Sequence, residues 1–266
     1  MAARHLLGYW DELKTDLACR SLYLFLDYDG TLSSIVRDPG QAVLSLRMRR
    51  RLERLLSTGR CRIAVISGRS LRDIKKRVGI AGIVYGGNHG LEVEGAGMTF
   101  RYPVPFTARR ALDDVRGKLE KALSPVPGVF LEDKGLSLTV HFRKVKRAEL
   151  PVVARAVEEE AGPYRKRGEI VLSPGKEVFE VRPFVAWNKG KTVLWLLEKC
   201  TVAGGEPPWP LCVGDDRTDE DAFRAIRERG VTVFVGEART TEARYYLRNV
   251  GEVAQFLGRL ARIRKG

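Results

Sequence analysis

Residues 24–32 read Leu24-Phe25-Leu26-Asp27-Tyr28-Asp29-Gly30-Thr31-Leu32, an apolar run that ends in two aspartates and a glycine. The run predicts a buried strand over Leu22–Leu26. Side chains two residues apart on an extended chain point to the same side, so Asp27 and Asp29 are expected together, and Gly30 permits a sharp turn. One Asp suffices to cap a turn or a helix, which is the alternative reading. Two therefore favour a site for a divalent cation.

A second strand also ends in acidic residues. It reads Cys212-Val213-Gly214-Asp215-Asp216-Arg217-Thr218-Asp219-Glu220-Asp221, with five acids among the last seven residues. The N-terminus of a helix favours acids, which accounts for Asp219 to Asp221. It does not account for Asp215 and Asp216 at the strand end, so we interpret those two as candidate metal ligands.

Two further segments offer groups that could hold an anion. In Ile66-Ser67-Gly68-Arg69-Ser70 a strand ends in a hydroxyl and a guanidinium just before a helix, which is a ready anion cradle; Ser67 or Ser70 could equally be an ordinary N-cap. In Trp187-Asn188-Lys189-Gly190-Lys191 a lysine opens a helix, where a cation is disfavoured. Lys189 is therefore expected to have an anionic partner, although a surface lysine is the simpler reading of either lysine alone.

Short apolar runs alternate with segments of helical period, which predicts βαβ units on a parallel sheet. The predicted strands are Leu22–Leu26, Ile63–Ile66, Ile83–Tyr85, Leu211–Val213 and Val231–Val235. The predicted helices are Ser45–Leu56, Leu71–Val78, Lys189–Lys199, Asp219–Arg229 and Thr241–Val250. The fold class is therefore α/β, with a Rossmann-like doubly wound parallel-sheet core.

The pattern changes between about residues 104 and 182, where strands and helices no longer alternate. Helices are predicted at Arg109–Leu123 and Glu149–Ala161, and strands at Val129–Leu131, Ser137–Phe142, Ile170–Leu172 and Val178–Val181. We therefore expect two domains in the 266 residues: a core of residues 1–103 and 183–266, and an inserted smaller α/β (α+β) domain of residues 104–182.

Composition narrows the class of protein further. The formal net charge is +14, from 47 basic and 33 acidic residues, which suits an anionic substrate or a polyanion. The basic residues lack interleaved aromatics, so a solvated helix face is the preferred reading and no specific nucleic acid is expected. We find no apolar run that would span a bilayer and no secretory signal, and we expect a cytoplasmic protein without membrane contact.

The four segments together predict one reaction, the transfer of a phosphoryl group to a carboxylate. Asp27 would attack phosphorus and form an aspartyl-phosphate. Asp29 would protonate the leaving alkoxide and then deprotonate the water that hydrolyses the intermediate. Mg²⁺ between Asp27, the phosphate and Asp215 would reduce the repulsion between two anions.

Asp27-x-Asp29-Gly30-Thr31, Ser67, Lys189 and Gly214-Asp215-Asp216, in this order, resemble the four motifs of the haloacid dehalogenase-like phosphohydrolases. Longer segments are similar to those of trehalose-6-phosphate phosphatases. These are Ile66-Ser67-Gly68-Arg69, Gly87-Asn88-His89-Gly90-Leu91-Glu92, residues 132–143 from Glu132 to Arg143, residues 174–183 from Pro174 to Pro183, and residues 214–221. The likeness covers nearly everything after about Ser21.

The resemblance implies a Rossmann-like core with an inserted cap domain, Mg²⁺ dependence and hydrolysis of trehalose 6-phosphate to trehalose and phosphate. It implies catalytic roles for Asp27, Asp29, Ser67 and Lys189, and metal ligands among Asp27, Asp29, Asp215 and Asp216, with Asp215 the first choice in the last motif and Asp219 nearby. The substrate-binding residues that it implies are Arg69, Asn88, His89, Glu92, Lys134, His141, Arg143, Lys176 and Glu180. His141 could instead be a histidine satisfied on a sheet face.

Two other functions stay open on the sequence alone. Another sugar-phosphate phosphatase of the same superfamily, acting on sucrose 6-phosphate or a glycosyl phosphoglycerate, would keep the same catalytic residues. A regulatory or nucleic-acid-binding protein of basic charge could keep the fold without the chemistry, but both Asp27 and Asp29 are present. The partner expected here is a small-molecule substrate, and we expect a monomer.

Overall fold

The computed structural model describes residues 3–36, 38–202, 207–237 and 240–264. The chain divides into two compact units. We call Met1–Arg101 with Trp187–Gly266 the core unit, and Tyr102–Ala186 the cap unit. The insert predicted at residues 104–182 lies inside the bounds of the cap unit.

In chain order the strands are β1 (Arg4–His5), β2 (Leu22–Leu26), β3 (Cys61–Ile66), β4 (Val84–Gly87), β5 (Glu92–Gly95), β6 (Met98–Arg101), β7 (Phe130–Asp133), β8 (Leu138–His141), β9 (Ile170–Gly175), β10 (Val178–Pro183), β11 (Trp209–Gly214), β12 (Val231–Val235) and β13 (Tyr245–Leu247). The α-helices are α1 (Trp10–Cys19), α2 (Leu46–Leu56), α3 (Leu71–Val78), α4 (Phe106–Leu123), α5 (Leu150–Lys166), α6 (Lys189–Val202), α7 (Asp219–Ile226) and α8 (Val250–Ile263). Within the described ranges, no helix has both the length and the apolar character needed to cross a membrane.

The core unit is built on a nine-stranded sheet in the order β1-β13-β12-β11-β2-β3-β4-β5-β6. The β4–β5 and β5–β6 pairs are antiparallel, and the other pairs are parallel. Every residue of β2 is buried, because alternate side chains enter two different hydrophobic clusters. Leu22, Leu24 and Leu26 pack with residues of α1, α2, α3 and α8, whereas Tyr23 and Phe25 pack with residues of α6 and α7. This confirms the doubly wound α/β core.

Local sequence explains where two core helices begin. The Ser45 hydroxyl accepts a hydrogen bond from the Met48 N–H at the start of α2, and the Ser70 hydroxyl accepts one from the Asp73 N–H at the start of α3. Each of these bonds satisfies a backbone donor that the first turn of a helix leaves free. Ser70, not Ser67, is therefore the N-cap of α3.

One predicted helix of the core is wrong. Residues 241–250, predicted as helical, contain the strand β13, which pairs in parallel with β12. Tyr245 and Leu247 are buried on this strand, so the pattern has period two. The last helix begins only at Val250, because the Asn249 side chain accepts the Glu252 N–H and caps it.

The cap unit is a four-stranded antiparallel sheet in the order β7-β8-β10-β9, with α4 and α5. One face of the sheet, with Leu138, Val140 and Val181, packs into a cluster with the two helices. Residues at alternate positions of the same strands, such as Thr139, His141 and Glu180, belong to the opposite face. That face carries most of the polar side chains of the sheet.

Two substitutions on α2 should separate the contribution of burial to stability from that of helix propensity. Leu52 is fully buried and Leu46 is 71% exposed on the same helix. Leu52→Ala should lower the free energy of unfolding by about 2–5 kcal/mol, because it leaves a cavity in the core. Leu46→Ala should change it by less than about 0.5 kcal/mol. Urea unfolding followed by tryptophan fluorescence measures both; equal losses would contradict the packing described for α2.

Candidate active site

The site lies at the carboxyl ends of four neighbouring strands of the core unit, β11, β2, β3 and β4. The backbone N–H of Asp27 donates to the Val213 carbonyl at 2.9 Å, so the first residue after β2 is tied to the end of β11. Ser67, the first residue after β3, donates its N–H to the Gly86 carbonyl of β4 at 2.9 Å. In an open α/β sheet this edge is where ligands bind.

A buried lysine joins two of the acidic residues. The Lys189 Nζ donates to Asp27 Oδ1 at 2.6 Å and to Asp219 Oδ1 at 2.8 Å. The three side chains are only 3%, 8% and 6% exposed, in the order Lys189, Asp27, Asp219. Lys189 therefore has the anionic partners that its place at a helix start predicts.

Burial and charge set the protonation of this group. Burial raises the pKa of Asp27; Lys189 opposes this, while the carboxylates of Asp219 and Asp215 raise the pKa further. Burial alone would lower the pKa of Lys189, but Asp219 and Asp27 together raise it, so the ammonium stays charged. Three carboxylates around one ammonium leave an excess of negative charge.

Asp219 also shapes the loop after β11. Its Oδ2 accepts the backbone N–H groups of Asp215 and Asp216, both at 3.1 Å. The close approach depends on Gly214, since a Cβ there would lie 2.1 Å from the Asp219 carboxyl carbon. Sequence reasoning placed Asp219 near the metal by resemblance alone and did not count it as a ligand or catalytic residue, because its place at a helix start already explained an acid. The feature of the sequence that could have indicated Asp219 was the positive charge of Lys189, which needs an anionic partner.

Asp215 lies close to the turn that follows Asp29. A Cβ at position 30 would lie 2.1 Å from Asp215 Oδ2, and Gly30 has a φ of +87°, a conformation that glycine adopts readily. The Thr31 hydroxyl donates to Asp215 Oδ1 at 3.4 Å. The strand ends of β2 and β11 are thereby packed against each other through a carboxylate.

The donor set at this edge fits a small divalent cation. Carboxylate oxygens of Asp27, Asp215 and Asp219 all lie within 4.8 Å of one another, and all three residues are buried. Oxygen ligands and excess negative charge are what Mg²⁺ requires. Of the other predicted ligands, Asp216 is only partly buried, and the Asp29 side chain is paired with a cation described below.

Next to these groups lies a cavity of about 10 Å³. Most of the residues around it are apolar, among them Phe25, Val193 and Phe223. Asp27 and Lys189 also line it. An apolar wall excludes water from one side of Asp27, which is the physical reason why burial raises its pKa.

The Ser67–Arg69 segment is fixed by its own hydrogen bonds. Ser67 is 2% exposed, and its hydroxyl accepts the Arg69 N–H at 3.2 Å. The Arg69 guanidinium donates from Nε and Nη2 to the two oxygens of Asp29, both at 2.7 Å. Its Nη1 donates to Asp73 Oδ2 at 2.7 Å. Arg69, predicted to bind substrate, is thus engaged by two carboxylates.

Asn88 and His89 follow β4 in an unusual backbone conformation, with φ values of +48° and +57°. Their N–H groups donate to the carbonyls of Arg69 at 2.7 Å and Ser67 at 2.8 Å. The Asn88 side chain donates to Glu92 Oε2 at 3.0 Å. Non-glycine residues in the left-handed region cluster at functional sites, so this segment fits a binding role.

The predicted binding residues of the cap unit form a polar group on its sheet. His141 Nε2 lies 2.8 Å from Glu132 Oε2, and Lys134 Nζ lies 3.9 Å from Glu180 Oε1. Arg143 contacts Glu177 and donates to the Lys176 carbonyl at 3.2 Å. Sequence reasoning did not single out Glu132, although it belongs to the same motif as Lys134. Its partner His141 is therefore satisfied within the sheet.

Removal of the buried ammonium tests its role in neutralising the carboxylates. Lys189→Met should lower the free energy of unfolding by about 3–5 kcal/mol, because Asp27 and Asp219 are left buried without their cation. Lys191→Met, at an exposed position on the same helix turn, should change it by less than about 0.5 kcal/mol. Urea unfolding in EDTA measures both variants. Equal stability of the two would show that Lys189 does not neutralise this cluster.

Comparison with known proteins agrees with this site. Residues 25–250 match the model of the trehalose-phosphatase family. A trehalose-phosphate phosphatase of Mycobacterium tuberculosis (strain ATCC 25618 / H37Rv) is 39% identical over 255 residues, which is 94% of this chain and 64% of that protein. The chain thus spans a little under two thirds of this relative. A probable trehalose-phosphate phosphatase of Arabidopsis thaliana is 35% identical over 256 residues, covering 91% of this chain and 72% of the plant protein.

A solved structure has the same architecture. The C-terminal domain of the trehalose-6-phosphate phosphatase of C. albicans superposes with a TM-score of 0.84 at 27% identity, and the match covers 99% of both chains. The family match extends over most of the chain and includes Asp27, Lys189 and Asp215. This chain therefore belongs to the trehalose-phosphatase family.

Proposed function

We propose that this chain hydrolyses trehalose 6-phosphate to trehalose and phosphate, through an aspartyl-phosphate on Asp27 and with Mg²⁺ as cofactor. The observation that carries the proposal is the buried Asp27–Lys189 pair at the acidic sheet edge, in a chain of the trehalose-phosphatase family. A carboxylate next to a fixed cation suits attack on a phosphate ester.

In the first half-reaction, a carboxylate oxygen of Asp27 attacks phosphorus and the bond from phosphorus to the sugar oxygen breaks. Asp29 gives its proton to that sugar oxygen. Lys189 and Ser67 hold the phosphoryl oxygens, since an ammonium and a hydroxyl both donate hydrogen bonds to them. Lys189 is already fixed beside Asp27 by Asp219.

In the second half-reaction, water attacks the phosphorus of the aspartyl-phosphate. Asp29 takes the proton of this water, the bond from phosphorus to Asp27 breaks, and inorganic phosphate leaves. Asp27 is then a carboxylate again and Asp29 carries a proton for the next leaving group. Both residues return to their starting states.

Asp27 and Asp215 would hold the cation, with Asp216 as a further ligand that family resemblance implies. The resemblance also implies Asp29, but both oxygens of its side chain are already paired with Arg69. When bound, Mg²⁺ would supply positive charge that lowers the repulsion between the Asp27 carboxylate and the phosphate. The excess of carboxylates around Lys189 supports this assignment.

Polar side chains would bind the sugar. A disaccharide phosphate has many hydroxyls, and a site that pairs with them rejects a sugar that leaves those groups unsatisfied. By family resemblance the residues are Asn88, His89, Glu92, Lys134, His141, Arg143, Lys176 and Glu180. Arg69, the ninth predicted member, already gives its guanidinium to Asp29 and Asp73.

Phosphate release from a panel of esters tests the proposed substrate. Trehalose 6-phosphate should be hydrolysed far faster than glucose 6-phosphate, sucrose 6-phosphate or a glycosyl phosphoglycerate, with Mg²⁺ and not with EDTA. Asp27→Asn should reduce activity to background, because the amide is not a nucleophile. Acid quenching and peptide mass spectrometry should find a phosphoryl group on the peptide that contains Asp27.

The matched control is Asp11→Asn, whose side chain is exposed on α1 and which should keep full activity. A preference for another sugar ester would keep the chemistry and replace the substrate. No release from any ester, together with salt-sensitive binding of duplex DNA, would favour the non-enzymatic basic protein.

Glu180 tests the proposed assignment of the sugar-binding residues. Its carboxylate lies near Lys134 and Arg182, at 3.9 and 3.5 Å. Glu180→Gln should lower kcat/KM for trehalose 6-phosphate by about 10–100-fold, because a charged hydrogen bond to the sugar is lost. It should leave 4-nitrophenyl phosphate turnover unchanged. Glu158→Gln, exposed on α5, is the control; full activity of Glu180→Gln on the sugar ester would remove Glu180 from the binding site.

A further inference from the structure

We propose that Arg69 is a positioning residue for Asp29, the proton-transfer group, and does not bind the sugar. This inference rests on the proposed phosphatase function. Three observations support it. The N–H groups of Arg69 already donate to other residues, its side chain is buried, and neighbouring residues hold it in place.

Arg69 has little left to offer a substrate. A guanidinium has five N–H donors, and in Arg69 four of the five are used in hydrogen bonds within the protein. Two go to the oxygens of Asp29, one to Asp73 and one from Nη2 to the Pro39 carbonyl at 3.0 Å. The Arg69 side chain is only 7% exposed, whereas that of Asp29 is 38% exposed. The carboxylate is the accessible member of the pair.

The geometry is the one that best fixes a carboxylate. Nε and Nη2 are parallel donors that bond both oxygens of Asp29 at 2.7 Å, so the plane of the carboxylate is set by the plane of the guanidinium. Each oxygen keeps a second lone pair. Asp29 can therefore be held in one orientation and still accept a proton from water.

Arg69 is in turn held by α3. Asp73, in the first turn of that helix, accepts Arg69 Nη1 and also Arg77 Nε, each at 2.7 Å. Arg77 extends the network to the Ala42 carbonyl at 2.7 Å. The hydrogen bonds that hold Asp29 through Arg69 thus lead to α3 and to residues 39–42.

This role predicts different effects on the two half-reactions. The sugar oxygen is a poor leaving group that needs a proton from Asp29, whereas 4-nitrophenolate leaves without one. With either ester, Asp29 must accept a proton from water when the phosphoryl group passes from Asp27 to that water. A poorly oriented Asp29 would therefore slow both steps for the sugar ester and only the second step for the aryl ester.

The experiment is rapid-quench and stopped-flow kinetics of Arg69→Gln with 4-nitrophenyl phosphate and trehalose 6-phosphate. We expect a burst of about one nitrophenolate per site, followed by a steady state about 10–100-fold slower than that of the unmodified chain. Turnover of trehalose 6-phosphate should fall at least as far, with no burst of trehalose and little change in KM. Arg69→Lys, which keeps the charge but lacks the fork, should recover only part of the rate.

Arg72→Gln is the matched control. Arg72 lies on the same helix but is exposed and takes no part in the described hydrogen bonds that join Asp29, Arg69, Asp73 and Arg77. It should show no burst. In an Asp29→Asn background, Arg69→Gln should lower the rate by less than about twofold, because the group that it orients is gone.

Two results would overturn the proposal. A higher KM for trehalose 6-phosphate with unchanged kcat would place Arg69 on the sugar, and an undiminished effect in the Asp29→Asn background would separate it from Asp29. If Arg69→Gln does not fold by circular dichroism, the same burst and background tests on Arg69→Lys decide. An unmodified chain that hydrolyses the aryl ester but not trehalose 6-phosphate would refute the proposed substrate alone, since the burst test still applies.

Discussion

The ion pair that Lys189 forms with Asp27 and Asp219 is the interaction on which the rest of the site depends. Three carboxylates meet at a buried sheet edge, where water cannot screen their repulsion. The Lys189 ammonium donates to two of them, which partly neutralises their charge and fixes the position of the nucleophile that we propose. Gly214 makes room for the Asp219 carboxylate in this cluster, and Gly30 makes room for that of Asp215.

The two aspartates of the first motif have separate cations. Asp27 is paired with the buried Lys189, and the more exposed Asp29 is paired with the buried Arg69. Neighbours at i and i+2 would otherwise repel each other on the same side of the chain. Asp27 and Asp29 thus have different partners, which fits the roles of nucleophile and proton-transfer group that we propose for them.

The positions of Asp27 and Asp215 could be predicted from the sequence, because adjacent parallel strands must end at the same edge of the sheet. The expectation that Lys189 has an anionic partner followed from helix electrostatics. Asp219 could not be assigned in this way, since a helix start gives an acid a sufficient local reason. The pair of Asp29 with Arg69 was out of reach as well, because it joins side chains 40 residues apart whose rotamers no local pattern sets. Residues 241–250 were mispredicted for a similar reason: β13 is a strand because it completes the sheet beside β12.

The chain order of the core has a consequence for biosynthesis. Asp27 and Lys189 are 162 positions apart, and β2 lies between β3, which follows soon after it, and β11, which is translated far later. A nascent chain therefore carries an apolar strand with one unpaired edge while the whole of the cap unit is being made. Such an edge invites association with other chains until residues 209–214 leave the ribosome. The cap unit, as one continuous segment, has no such delay, so the part of the chain that carries the proposed catalytic aspartates is the last to complete its sheet.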